Sequence, residues 1–310
     1  MNQVERSTAL TCEFVLHDRA SDYLRADHPR LQELRRRYEN HPASRHSLWS
    51  QHYLKTQLKL DQFRSDNAYL HQRRRASNES YLLTARYVES VDRLGLLKKL
   101  GDDDAFGNYL VRANGCRAVS RDLLDSVLEI NFLNQNLNLS RLQNPVILDI
   151  GAGYGRLAHR LVQAVSKLGS VLCTDAVPES TFLCEFYLRY RGCETKAKVL
   201  PLDEVEREVR NLRIDIATNV HSFGECPLDS IRWWLDLISA NQIQYLFIVP
   251  NGEVLESWEP DNSHIDYLPL LLARRYKLVA KQSNYVQSST VQRYGLYPCF
   301  YYLFARDEQS

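Results

Sequence analysis

The chain lacks any hydrophobic run approaching the ~18 residues of a membrane-spanning helix. Its opening, Met1–Arg6, is polar, with no apolar stretch of signal-peptide length behind it. No charge of one sign is in excess: Lys and Arg total 39 against 38 Asp and Glu, a formal net charge of +1. A protein that holds nucleic acid by neutralising phosphates needs a basic surplus, so the balance points away from that partner. The short run Arg73-Arg74-Arg75 reads as a solvated helix face. Cysteine pattern is missing too. Seven cysteines fall at 12, 116, 173, 184, 193, 226 and 299, with no C-x-x-C pair and no histidine pair to complete a zinc motif. An odd, unpatterned set fits a reducing compartment, and Cys173 falls in a strand-like run where a thiol acts as a small apolar group. Internal repeats and low-complexity tracts are absent. These absences leave a soluble, cytoplasmic globular protein as the expectation, with no membrane span and no nucleic-acid partner.

What is present changes character near Asn144-Pro145. The chain has 310 residues, 44% hydrophobic and 25% charged, enough for one large domain or two modest ones. Before residue 144 the composition predicts helices over 31–38, 48–75 and 79–100, then a turn-rich break from Gly101 to Gly107. Ser120 is placed to cap a further helix, with Asp122 in its first turn facing the helix dipole. Leu123, Leu124, Val127, Leu128, Ile130 and Leu133 give that helix a broad docking face. After residue 144, strands and helices alternate. Apolar runs at 145–150, 170–174, 198–200, 214–218 and 245–249 read as buried strands, and 276–280 and 298–304 supply two more. Helical patterns lie between them, at 157–168, 178–192, 202–212 and 227–239. This pattern predicts an α/β, Rossmann-like seven-stranded fold with an N-terminal helical region. Residues 1–140 form the helical part, a substrate cap or an oligomerisation surface such as a homodimer would use. Residues 141–310 form the cofactor-binding catalytic part.

Between the first strand and its helix stands Gly151-Ala-Gly-Tyr-Gly155, with Asp149 two residues ahead. The dinucleotide fingerprint spaces its last glycine further on, and a pyrophosphate prefers free helix N–H groups with no carboxylate nearby. An amino-acid tail beside a sulfonium wants the reverse: close backbone approach and a negative group. Gly151 and Gly153 allow the approach, and Asp149 supplies the charge. Asp175 closes the second strand, where a carboxylate can accept both ribose hydroxyls. Leu202 and Asp203, after the third strand, are expected at the adenine edge. Ala152, Gly155, Ala176 and Asn219 complete the expected cofactor set. The competing readings are a glycine turn with no ligand and a nicotinamide site.

The second half resembles the class I S-adenosyl-L-methionine-dependent methyltransferases. The chain from about residue 50 onward resembles more closely a sugar O-methyltransferase family of bacteria. That resemblance rests on Phe63-Arg64, Phe106-Gly107, Val119 to Ser126 with Glu129, the glycine loop, Asn219 to Glu225, Val249-Pro-Asn251 and Tyr276-Lys-Leu278. It implies transfer of a methyl group to a hydroxyl of a sugar or glycosylated metabolite, in the methyltransferase version of the seven-stranded fold. A polyketide or other small-molecule hydroxyl is the alternative acceptor, and a catalytically silent cofactor-binding scaffold the alternative role.

An alcohol is a poor nucleophile, so methyl transfer to it needs a base and an in-line arrangement. His221, just past the fourth strand, is the expected general base. Glu225, four residues on, is placed to orient the imidazole or bind a hydroxyl. His264, in the loop after the fifth strand, is the second candidate. His159 is expected on the outer face of its helix, with a structural role. Asp261, His264, Asp266 and Glu225 are also oxygen- and nitrogen-bearing groups of the kind that hold magnesium, although their spacing leaves a divalent metal undetermined. Trp234 is expected in the core and Trp258 on the rim of the site.

Overall fold

The computed structural model describes residues 20–45, 48–67, 69–73, 76–112, 117–210 and 212–307. The polar opening, Arg74, Arg75, Cys12 and Cys116 lie outside these. Seven strands make one sheet in the order β3-β2-β1-β4-β5-β7-β6. They are β1 (Val146–Ile150), β2 (Ser170–Thr174), β3 (Ala197–Val199), β4 (Ile216–Val220), β5 (Tyr245–Val249), β6 (Tyr276–Ser283) and β7 (Phe300–Arg306). The first five are parallel, and β7 runs antiparallel between β5 and β6. This is a Rossmann-like seven-stranded sheet, with a helical region ahead of it.

Successive side chains of a strand face opposite ways, and each face of the sheet has its own core. Leu148, Ile150, Leu172, Leu246 and Ile248 pack on one side. Ile147, Val171, Cys173, Ile216 and Phe247 pack on the other. The continuous apolar runs of the parallel strands follow from being covered on both faces.

The helical region belongs to both cores. Its helices are α1 (Pro29–Tyr38), α2 (Gln51–Gln57), α3 (Asn78–Val91) and α4 (Arg121–Leu137). In the sheet half, α5 (Arg156–Ala164) follows β1, α6 (Pro178–Tyr190) follows β2, α7 (Leu202–Arg210) follows β3 and α8 (Leu228–Ala240) follows β4. Leu31, Leu34 and Tyr38 of α1 join the first core, while Tyr81 and Val88 of α3 and Leu123 and Val127 of α4 join the second. Ser120 caps α4, its hydroxyl accepting from the Leu123 N–H at 3.0 Å. All six residues of the expected docking face are buried, and Trp234 lies in the core.

Several boundaries differ from the sequence reading. The helix expected over 48–75 is limited to α2 and a 3-10 turn at Leu60–Gln62. Beyond it the chain turns inward, because Phe63 and Arg64 are buried and the Asn67 side chain ties back to the Phe63 carbonyl at 2.8 Å. The segment expected over 79–100 breaks after Val91, and left-handed Gly95 (φ 65°) precedes a single turn at Leu96–Lys99. The last strand starts at Phe300 rather than Pro298, which has no N–H to give a ladder.

Candidate active site

β1 has β2 on one side and β4 on the other, so the chains leaving β1 and β4 diverge. Open α/β sheets bind ligands in the crevice at such a switch point. The glycine loop is tied to β2 there: the Gly151 and Ala152 N–H groups donate to the Thr174 carbonyl at 2.9 and 3.1 Å. Gly151 and Gly153 have φ of 72° and 57°, the left-handed region where a side chain is strained. A Cβ on Gly151 would stand 2.1 Å from Ser222 Oγ, and one on Gly153 would stand 3.3 Å from the Tyr69 ring. Gly155 serves packing instead, with its open side against Cys184.

Two carboxylates flank the loop. Asp149 and Thr218 are register partners on β1 and β4, and the Thr218 hydroxyl donates to Asp149 Oδ1 at 2.7 Å. Asp149 Oδ2 is buried without a partner. Burial pushes this acid up to about 6. Asp175 accepts from the Val177 N–H at 2.8 Å and the Gly153 N–H at 2.9 Å. Burial pushes it up to about 7, against the pull of those two donors. With Ala152, Ala176 and Ser180 they line a cradle of about 90 Å³, roofed by Trp49 and Tyr69.

Besides Gly155, three further expected cofactor residues do not line the cradle. Leu202 is buried and its N–H donates to the Tyr38 hydroxyl at 2.8 Å. Asp203 is gripped by the Arg37 guanidinium at 2.8 and 2.9 Å. Both partners come from α1, which lies against this end of the sheet, and neither Leu202 nor Asp203 lines the cradle. The Asn219 amide is spent inside the fold: it donates to the Ile150 carbonyl at 3.0 Å and to Ser222 Oγ at 2.6 Å, and accepts from the Phe223 N–H at 3.0 Å.

Beside the cradle opens a second cavity of about 430 Å³, whose lining includes Tyr53, Arg121, Asn251, Trp258 and Tyr297. Tyr69, Leu70, His221 and Glu225 line both spaces. His221 has a left-handed backbone, φ 67°, and its N–H donates to the Val249 carbonyl at 2.7 Å. Its Nδ1 is buried without a partner. Burial lowers the imidazole to about 3, and the Arg156 and Arg121 charges add to this. Glu225 accepts from the Trp49 indole N–H at 2.7 Å and from the Asn251 amide at 3.4 Å. Burial pushes its carboxyl up to about 7.

The other candidates are not brought here. His264 is exposed, with Nδ1 2.9 Å from the Ser257 carbonyl and its ring edge-on to Trp258. Asp261 accepts from Ser263, and Asp266 caps the Leu268 N–H at 2.8 Å. Asp261, His264, Asp266 and Glu225 therefore do not converge, and among the described residues no group of three or more His, Cys, Asp or Glu is arranged to hold a metal. His159 is buried rather than outward-facing, its Nδ1 3.2 Å from the Tyr187 hydroxyl. Helix α6 covers that side of α5, and burial holds the imidazole well below its usual range.

The supports of the site were missed as such in the sequence. Tyr154, inside the glycine loop, donates to Asp122 at 2.6 Å. Asp122 belongs to a buried ion cluster: Arg64 meets Asp102 at 2.6 Å and Asp103 at 2.8 Å, and Arg160 meets Asp102 at 3.0 Å and Asp122 at 3.2 Å. Arg156, lining the cradle, makes a two-pronged pair with Glu129, both contacts at 2.9 Å. The segments Phe63-Arg64 and Val119 to Ser126 carried a signal as family-like motifs, although nothing in them showed that they meet.

No family model matches the chain, and no curated protein matches it in sequence. Solved structures resemble it at a distance. TrmK of M. capricolum, seen with S-adenosylhomocysteine, is 17% identical over 58% of this chain and 69% of its own, with a TM-score of 0.38. Magnesium protoporphyrin IX methyltransferase of Synechocystis, seen with bound S-adenosylmethionine, is 11% identical over 75% and 98%, with a TM-score of 0.42. An S-adenosylmethionine-dependent methyltransferase of Clostridium acetobutylicum is 14% identical over 59% and 91%, with a TM-score of 0.41.

Proposed function

We propose that the chain is an S-adenosyl-L-methionine-dependent O-methyltransferase acting on a hydroxyl of a sugar or glycosylated small molecule. The observation that carries this is the pair of spaces meeting at Tyr69, Leu70, His221 and Glu225. One space has the chemistry for the cofactor, the other the size for an acceptor, since small-molecule pockets span ~300–1,000 Å³. The bare backbone at Gly151 and Gly153 would take the amino-acid tail, and the unpartnered Asp149 Oδ2 its ammonium. Asp175 keeps lone pairs for two ribose hydroxyls beyond its two backbone donors. The bound cofactor supplies an activated methyl group. The described residues of the helical region that line these spaces, Trp49, Tyr53, Tyr69 and Leu70 among them, act as their cap.

The base is reassigned within the expected pair. An imidazole lowered to about 3 is neutral at pH 7 but takes up a proton poorly. A carboxyl near 7 matches the ideal for general-base catalysis at neutral pH. Glu225 takes the hydroxyl proton in this reading, and neutral His221, its Nδ1 free to accept, takes a hydrogen bond from a second polar group of the acceptor and so fixes the acceptor's orientation toward the cradle. The aromatic side chains Tyr53, Trp258 and Tyr297 also suit a flat phenolic acceptor. Labelled cofactor offered with panels of saccharides and phenols decides between them. Glu225→Gln should bind S-adenosylhomocysteine normally and lose roughly 10²–10⁴-fold in turnover. Full activity in that variant, with His221→Ala inactive, would return the role of base to His221.

A further inference from the structure

The cavity beside the cradle has two chemically different parts. His221 and Glu225 belong to the part it shares with the cradle, while Arg121, Tyr297 and Cys299 line the cavity alone. Among the described lining residues Arg121 carries the one permanent positive charge, and Glu225 is the one acid. The space, about 430 Å³, falls inside the ~300–1,000 Å³ of small-molecule pockets.

Arg121 opens α4 and is 7% exposed. A guanidinium has five N–H donors. Here Nε donates to Asp125 Oδ2 at 3.2 Å, Nη1 to the His71 carbonyl at 3.0 Å and Nη2 to the Tyr297 carbonyl at a long 3.5 Å. One N–H remains on each terminal nitrogen, and the group beside them is the Cys299 thiol, a weak acceptor. Asp125 does not line the cavity and meets the guanidinium through one oxygen, its Oδ1 being buried without a partner. The three contacts fix the plane of the cation without using up its donors. Its charge reaches the reacting part of the cavity, where it helps to hold the His221 imidazole low.

Donors of a buried charge that lack a strong acceptor are costly. Two N–H groups on neighbouring nitrogens match a carboxylate, which accepts both in parallel, and such charge-assisted bonds are about twice as strong as neutral ones. A hydroxymethyl group in the same place offers a single oxygen and no charge. We propose that the acceptor is a hydroxy acid whose carboxylate pairs with Arg121, while its hydroxyls meet His221 and Glu225 where the two spaces join. Arg121 is then the residue that selects an acid over its neutral counterpart. The carboxylate is a handle and forms no covalent bond in the reaction. The proposal rests on the acceptor reading given above and narrows it.

Calorimetric titration of the full chain tests it with three matched pairs: glucuronate and glucose, galacturonate and galactose, 4-hydroxybenzoate and 4-hydroxybenzyl alcohol. Each pair exchanges a carboxylate for a hydroxymethyl group. At least one acid should bind about tenfold or more tightly than its neutral partner, with or without saturating S-adenosylhomocysteine. Arg121→Gln alone leaves Asp125 unpaired inside the fold, so the charge-neutral double variant Arg121→Gln with Asp125→Asn is the one to titrate, and it should lose the preference. Asp125→Asn alone removes the competing anion and keeps the cation. It should bind the acid several-fold more tightly and the neutral partner unchanged, which a merely structural Arg121 does not predict. No acid preferred over its neutral partner, or the same preference in the folded double variant, overturns the proposal. Glucose 6-phosphate bound more tightly than every acid overturns the carboxylate. An acid preference in a protein that binds no S-adenosylhomocysteine overturns the cofactor reading and leaves Arg121 as the acid-binding residue.

Discussion

At the residue scale, the site is a set of buried acids held partly protonated near neutral pH. Asp149 is pushed to about 6, Asp175 and Glu225 to about 7, each mainly by burial. An acid that accepts ribose hydroxyls must be ionised, and the bound ligand favours that form. S-adenosylhomocysteine affinity should therefore be full above pH 7 and fall as pH drops through it, by up to about tenfold per unit for one proton. Calorimetric titrations on both sides of pH 7 check this. Asp175→Ala should weaken binding by roughly 1.5–3 kcal/mol and flatten the profile. Stability of the protein alone has the opposite sign. These acids titrate higher folded than unfolded, so their contribution is present at low pH and is lost as pH rises through about 7. The melting shift given by the ligand should grow with pH accordingly. Much of this set was legible in the sequence, because a parallel sheet brings every strand's carboxyl end to one edge. Asp149, Asp175 and His221 needed only a correct strand reading to be placed together. Leu202 and Asp203 misled for a reason no local pattern shows: Tyr38 and Arg37, which occupy them, lie 164 and 166 residues earlier. His264 fell on a rim loop whose own hydrogen bonds turn it out to solvent.

At the scale of elements, the buried ion cluster joins the chain around Arg64 to α4, α5 and the glycine loop. Arg64, Asp102, Asp122 and Arg160 are nearly free of solvent. A buried pair is weak evidence of net stabilisation, whereas losing one partner leaves a charge unpaired and costs about 3–5 kcal/mol. Arg64→Met should therefore lower unfolding stability by about that amount in urea. It should also weaken cofactor binding, because Tyr154 of the loop hangs on Asp122. Normal binding in a destabilised Arg64→Met protein would show that the cluster supports the fold without shaping the loop. The strands of the sheet were plain in the sequence as apolar runs bounded by turn residues. The stretch 48–75 was not. Its Leu, Gln and Arg content favours helix, yet burial of Phe63 and the pairing of Arg64 outweigh that preference and leave α2 short. The irregular backbone that results carries Trp49 and Tyr69 to the site.

At the scale of the whole molecule, the two cores run without a break from the helical region into the sheet. The change of character near residue 144 marks a change of element type, and the packing surfaces cross it. Residues 141–310 alone would expose the face of the sheet that α4 covers, so this fragment should be aggregation-prone and bind 8-anilinonaphthalene sulfonate. The full chain should unfold in one transition by fluorescence and far-ultraviolet circular dichroism alike. Two separate transitions would contradict the shared cores. Among the described residues no helix is long and apolar enough to cross a membrane. The most direct test of the whole account is calorimetric titration of S-adenosylhomocysteine into the unaltered protein and into Gly153→Val. The account predicts micromolar binding to the first, no binding to a folded Gly153→Val protein, and no heat from NADH with either. Equal binding to both proteins, or no binding to the unaltered one, would contradict it.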